Sequence, residues 1–177
     1  MFVVVIFLFS FTSKRNLNRK LTKCTVAFVG DNAPFVKQET VNKLLIEYNS
    51  EVSSIQKVNL DLNKLEKSLN SQEMIEKSDV FVSIDGVLKA VVKQKTPIAR
   101  IFDNDGSFYV DYKGNRMPLS ANFTARVPLV LGEINKNNND DLAELFRIIY
   151  DDPFLKKNII GIEIMTDGSL KMHNRNF

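Results

Sequence analysis

The chain has no tryptophan, one cysteine and one histidine. Each shortage closes off a class of chemistry. A lone thiol, Cys24, cannot form an internal disulfide and gives no clue to redox compartment. Cys24 and His173 together are too few for a Cys/His zinc site built from this chain alone. Only seven glycines are present. They stand singly at turns, so no glycine-rich phosphate loop exists. The longest apolar run, residues 2–11, is about half of the roughly 20 residues that span a bilayer. These absences predict no catalytic, cofactor-binding or metal residues and no small-molecule substrate.

Thirteen phenylalanines stand against no tryptophan among 177 residues. Together with the isoleucines and valines they favour strands. A chain of this length can bury one good core or two small ones. The net charge of +3 conceals a split. Residues 1–23 hold Lys14, Arg15, Arg19, Lys20 and Lys23 and no acid. The remainder is slightly acidic, which argues against a nucleic-acid domain with its basic stripe.

Phe2–Phe11 reads Phe-Val-Val-Val-Ile-Phe-Leu-Phe-Ser-Phe. It is too short for a whole transmembrane helix, and no basic region precedes it as in a signal peptide. The pattern favours the last half of a membrane helix, with Phe2, Val5, Leu8 and Phe11 anchoring. A buried strand is the competing reading, but turn residues would succeed it, not a Lys/Arg/Asn-rich segment. By the positive-inside rule the basic flank belongs in the cytoplasm. That rule weakens for large translocated domains, so orientation stays open at this point.

Cys24–Val29 reads as a strand ending at Gly30-Asp31-Asn32. Val41, Leu44, Leu45 and Tyr48 recur at helical spacing. Leu62, Leu65 and Leu69 mark a second helix, with Asn63, Lys64, Glu66 and Lys67 facing water. Val80–Ile84 and Val87–Val92 are β runs around Asp85-Gly86, a hairpin signal for which both turn residues need positive φ. Val80, Val82 and Ile84 should share a face. Two helices on a three-stranded sheet, in the order β-α-α-β-β, is an α+β arrangement.

Prolines punctuate the second half of the chain, at Pro97, Pro118 and Pro128. Such a stretch joins and orients extended pieces. Ile98–Phe102 is extended, and Phe108, Val110 and Tyr112 alternate onto one side. Lys113-Gly114-Asn115 is a turn, and Val127–Leu131 is a strand closed by Gly132. Asn137-Asn138-Asn139 is a polar loop. Leu142, Leu145, Phe146 and Ile149 mark a helix, with Asp141 and Glu144 as its capping box and Asp151-Asp152-Pro153 as its stop. Ile160, Ile162 and Ile164 share a face of the next strand. Asp167-Gly168 then turns the chain toward Leu170–Met172, an open edge offering unpaired backbone groups.

The remaining candidates for chemistry have plainer explanations. Asp103-Asn104-Asp105-Gly106 fails as a calcium loop, because Ile101 and Tyr112 stand where an EF-hand needs acids. Asp140-Asp141 and Asp151-Asp152 flank one helix, so capping explains them better than acid–base catalysis. Cys24 suits a small core residue. His173 lacks a Ser or Cys partner. Asn122-Phe123-Thr124 matches a glycosylation acceptor, a pattern common by chance. Arg100 and Arg126 each come after alanine. They suit salt-bridged surface or interdomain positions better than a shared site for an acidic partner.

The β-α-α-β-β order to Val92, with Pro97-Ile98-Ala99-Arg100 after it, resembles the bacterial cell-division family FtsQ/DivIB. Phe108 to Asn115, Val127-Pro-Leu-Val with Gly132, and Asp152-Pro-Phe through Ile164 keep that family's order. Met117-Pro-Leu-Ser resembles its Bacteroidetes-type form. The resemblance implies a partial transmembrane helix over 1–13, a basic juxtamembrane linker over 14–23, a POTRA (polypeptide-transport-associated) domain over 24–96 and a β domain over 97–177. Pro97, Ile98, Ala99 and Arg100 form the interdomain junction in this scheme. Compared with the family, the chain looks truncated at both ends. Also implied is a non-enzymatic, single-pass scaffold of the divisome, in the inner membrane at the septum, with its bulk in the periplasm. Its partners would be proteins of the FtsB/FtsL complex, and it would need no cofactor. The family's own partner-pairing strands would lie beyond Phe177; the edge at Leu170 and Met172, read from the residues, fits partner binding by strand addition but is not that terminal strand. The alternative is a POTRA module of an outer-membrane assembly or secretion system.

Overall fold

The computed structural model describes residues 2–17, 21–30, 35–47, 60–103, 106–132 and 139–175. The fold is mixed α+β. The chain divides into two compact units: Met1–Asn32 with Val36–Gln94, and Ala33–Phe35 with Lys95–Phe177.

The first unit begins with helix α1 (Phe2–Leu17). Its apolar side chains from Phe2 to Phe11 are exposed, including Val5 and Leu8. At ~1.5 Å per residue it is about 24 Å long, against the roughly 30 Å of a bilayer core. No helix among the described residues is long and apolar enough to cross a membrane.

Strand β1 (Lys23–Val29), helices α2 (Gln38–Glu47) and α3 (Leu62–Asn70), and strands β2 (Ile75–Val82) and β3 (Val87–Gln94) complete the unit. The sheet order is β1-β3-β2, with β1 parallel and β2 antiparallel to β3. A parallel neighbour requires a crossover, and the two helices lie in it. Val41 and Leu45 from α2, and Leu65 and Leu69 from α3, pack on Val26, Val80, Leu88, Ala90 and Val92. Leu44 and Leu62 are partly buried against the same core, whereas Tyr48 lies outside the described residues.

The hairpin between β2 and β3 differs from the expectation. No non-glycine residue has positive φ among those described, so Asp85 does not adopt it; Gly86 does, at 84°. The Gly86 N–H donates to the Ser83 carbonyl at 3.1 Å. Ile84 and Asp85 are thus the central residues of a four-residue turn, and glycine alone supplies the left-handed position. Ile84 consequently leaves the strand and is 85% exposed rather than sharing the face of Val80.

The second unit contains β4 (Pro97–Asp103), β5 (Gly106–Asp111), β6 (Arg116–Met117), β7 (Leu129–Leu131), α4 (Asn139–Asp151), α5 (Pro153–Asn158), β8 (Ile159–Ile164) and β9 (Leu170–Asn174). One six-stranded sheet runs β6-β5-β4-β7-β8-β9, with β4, β7 and β8 mutually parallel. Ile101, Val130 and Ile162 align across three strands and bury one face against Leu142, Phe146 and Ile149 of α4. Pro97 begins its strand, the position where a missing N–H is tolerated.

The structure corrects several expectations from sequence. Phe108 and Val110 share the α4-covered side, as their alternation predicts, and Tyr112 meets Tyr150 of α4, but burial does not alternate with them. Tyr109, Val110 and Asp111 are all buried, and Tyr112 lies past the strand and exposed. On the other face Phe35 meets Tyr109 edge-to-face at 6.3 Å, and Phe123 in turn meets Phe35 edge-to-face at 5.1 Å. Phe35 groups with this unit, and its carbonyl accepts the Ser120 hydroxyl at 2.7 Å. Asp111 is buried because its carboxylate accepts the Lys113 and Asn115 N–H groups of the next turn, with Lys95 at 3.7 Å. The strand after Arg126 begins at Leu129, not Val127. Helix α4 starts at Asn139, so Asp141 lies within its first turn rather than at its cap. There it still complements the helix dipole. Asp152 does not merely stop α4. Its side chain accepts the Phe154 and Leu155 N–H groups, and Pro153 opens a further helix. Ile160 is exposed because the β8–β9 register slips between Ile159 and Gly161, making it the extra residue of a bulge.

Phe146→Ala should cost the second unit about 3–5 kcal/mol, whereas Ile148→Ala on the exposed face of α4 should change stability by less than about 0.5. Denaturant unfolding followed by tyrosine fluorescence measures both. At Gly132 φ is 111° and an added Cβ would meet the Ile164 carbonyl at 2.6 Å. Gly132→Ala should therefore destabilise by more than about 1 kcal/mol in the same assay.

Candidate partner-binding edge

The two outer strands of the six-stranded sheet differ in kind. β6 has two residues and β9 has five. On β9 the alternation of antiparallel pairing fixes which backbone groups are free of β8. The Met165 N–H donates to the Ser169 carbonyl at 2.9 Å. Counting along the register, Glu163/Lys171 and Gly161/His173 exchange bonds across the ladder. Leu170 and Met172 therefore direct their N–H and C=O groups away from β8, toward the open side. No other described strand pairs there.

Their side chains lie on the helix-covered face. Met172 is opposite Ile162, and Leu170 is opposite Ile164. Ile162 is buried under α4, but Leu170 is 40% and Met172 46% exposed. The apolar face of the sheet thus continues past the end of its cover. A further strand beside β9 would pair the outward backbone groups and extend that face.

On the opposite face Glu163 holds Lys171 at 3.9 Å and His173 at 3.5 Å. These exposed pairs add little stability, but Lys171 places a charge on the edge. The turn before β9 is better built. Asp167 accepts the Ser169 N–H at 2.9 Å and its hydroxyl at 2.7 Å, and Gly168 takes φ 83°. The Ser169 hydroxyl and backbone bonds hold the Asp167 carboxyl below the usual carboxylate range.

The other sequence candidates lie elsewhere. Pro97, Ile98 and Ala99 are buried and Arg100 is half-buried, all in β4 at the centre of the same sheet. Arg100 donates through Nε to the Ser107 hydroxyl at 2.8 Å; Arg126 is exposed. Phe2, Val5, Leu8 and Phe11 are on α1 in the first unit. Cys24 packs against the first core, and burial pushes its thiol pKa up, which disfavours the nucleophilic thiolate. The Asn122 side-chain amide donates to the Phe35 carbonyl at 3.4 Å. Asp151 accepts the Tyr112 hydroxyl at 2.8 Å. That bond raises the tyrosine's pKa. Sequence reasoning missed the role of Phe35, since a single phenylalanine in a loop carries no periodic signal.

The model of the family described as FtsQ/DivIB, C-terminal related, matches residues 96–177. No curated protein matches the chain. The matched segment contains β4 through β9, and therefore both the open edge and Pro97–Arg100. That segment is therefore similar to the C-terminal part of FtsQ/DivIB cell-division proteins.

The Asp167 turn has a defined pH dependence. A carboxylate whose folded-state pKa is lowered contributes stability above its unfolded pKa and loses it as pH falls through the folded value. The protection of the Ser169 amide, its exchange rate relative to the intrinsic rate at each pH, should therefore fall when pH is lowered through the acid end of the carboxylate range, and Asp167→Ala should show the lower protection already at neutral pH. Unchanged protection in both cases would remove the turn's role in holding β9.

Proposed function

We propose that this protein is a non-enzymatic, bitopic membrane scaffold of the bacterial divisome, acting in septum assembly by binding other division proteins. The observation that carries the reading is an open, five-residue β edge inside the segment matching the FtsQ/DivIB family. In this proposal Phe2, Val5, Leu8 and Phe11 sit in the cytoplasmic membrane. Residues 14–23 form the juxtamembrane linker, 24–96 a POTRA domain, and 97–177 the β domain on the periplasmic side. The β-α-α-β-β order and the β1-β3-β2 sheet support the POTRA assignment. Pro97–Arg100 opens the β domain. The partners are proteins of the FtsB/FtsL type, one of which adds a strand to β9 and covers Leu170 and Met172. Main-chain bonds supply affinity in that mode, and side-chain alternation supplies register. The alternative, a POTRA module of an outer-membrane assembly or secretion system, has no matching family segment to support it.

Met172→Pro is the selective test. It deletes an outward N–H while leaving the β8 ladder bonds in place. Full-length protein should capture FtsB- and FtsL-type partners and localise to mid-cell as a fluorescent fusion. Met172→Pro should weaken capture about tenfold or more, the effect of leaving one backbone group unpaired. Failure of the full-length chain both to capture these partners and to reach mid-cell would sink the proposal. Full capture by Met172→Pro would move the contact away from β9.

A further inference from the structure

The first unit also has an outer strand, β2, but its edge is occupied from within. The Ser83 N–H donates to the Val87 carbonyl at 2.9 Å. The register then makes Phe81/Lys89 and Asp79/Val91 ladder-bonded pairs, so Ser78 and Val80, and Val82 at the strand's end, present their N–H groups outward. The Ser78 and Val80 groups are taken by side chains of α3. Asn70 Oδ1 accepts the Ser78 N–H at 2.7 Å and its hydroxyl at 3.0 Å. Glu66 Oε2 accepts the Val80 N–H at 3.4 Å, and the Glu66 carbonyl accepts the Ser78 hydroxyl at 3.4 Å. Ser78 is 0% exposed. Asparagine is a weak helix former, and Asn70 ends its helix. Its side chain mimics the carbonyl of a neighbouring strand.

We propose that Asn70 and Glu66 form a latch over β2, and that releasing it lets β2 pair antiparallel with β2 of a second copy. The choice of a second copy comes from the strand's own charges. Lys77 and Asp79 both project to the solvent face, 3.3 Å apart. A two-fold axis through Ser78 sets the outward Ser78 groups opposite one another. The same axis puts Lys77 of each strand directly opposite Asp79 of the other, both on the solvent face. Opposite charges at facing positions stabilise an antiparallel pair, and like charges destabilise it. The latch is therefore a guard on an edge that is otherwise self-complementary. It operates independently of β9 and of any partner bound there.

The test uses the full chain in detergent micelles, so that α1 is covered. Sedimentation should give one copy for wild type and two for the Glu66→Ala/Asn70→Ala variant. The Ser78 amide should exchange faster in Asn70→Ala, while Asn70→Asp, which keeps an acceptor oxygen, should stay at one copy. Adding Asp79→Lys to the unlatched variant sets lysines against lysines and should restore one copy; adding Lys77→Asp as well should return the pair. If the double variant does not fold, Asn70→Ala carries the same measurements. An unlatched variant that remains a single copy overturns the proposal. Pairing insensitive to Asp79→Lys, or a wild type already paired through β2, does so too.

Discussion

Backbone N–H and C=O groups at the rim of a β-sheet cannot be left in an apolar setting without a partner, and in water they invite one. Both units are organised around how their rims are handled. β2 is closed by Asn70 and Glu66 from the helix packed beside it. β6 is kept to two residues. Among the described residues no strand pairs with the outer side of β9, whose two apolar side chains lie beyond the cover of α4.

The core of the second unit makes the open rim usable. Ile101, Val130 and Ile162 form a continuous apolar row under Phe146 and Ile149, and that row points directly at Met172. A strand added there would meet a paired strand rather than a loop. The Asp167 turn and the close approach at Gly132 hold β8 and β9 in place from either side. In the first unit the sheet ends in a strand whose two central outward donors, at Ser78 and Val80, are spent internally. The two edges thus differ in availability, and the acceptor oxygens of Asn70 and Glu66 on the Ser78 and Val80 N–H groups make the difference.

Much of this was legible in the chain. The helices at Leu65/Leu69 and Leu142/Phe146/Ile149 were written in 3.6-residue spacing, and the strands around Ala90 and Ile162 in runs of branched residues, because burial of one face imposes a period. Departures cluster where something other than period decides. At Tyr109 both faces of the strand are covered, so alternation disappears. At Ile160 one extra residue breaks the register. At Asp152 a single carboxylate and a proline restart a helix that the same residues were expected to end.

The sequence by itself determined the α+β class, the β-α-α-β-β order, most core positions and the resemblance to a cell-division family. These come from local spacing and composition, which the chain carries whatever its tertiary packing. Only the tertiary structure decided which edges are open. Whether Ser78 or Met172 offers a free N–H depends on ladder parity and on a side chain eight residues away or none at all. Leu170 and Met172 read as an edge in the sequence, but that their side chains extend the buried face, rather than turn from it, is set by their register against Ile164 and Ile162.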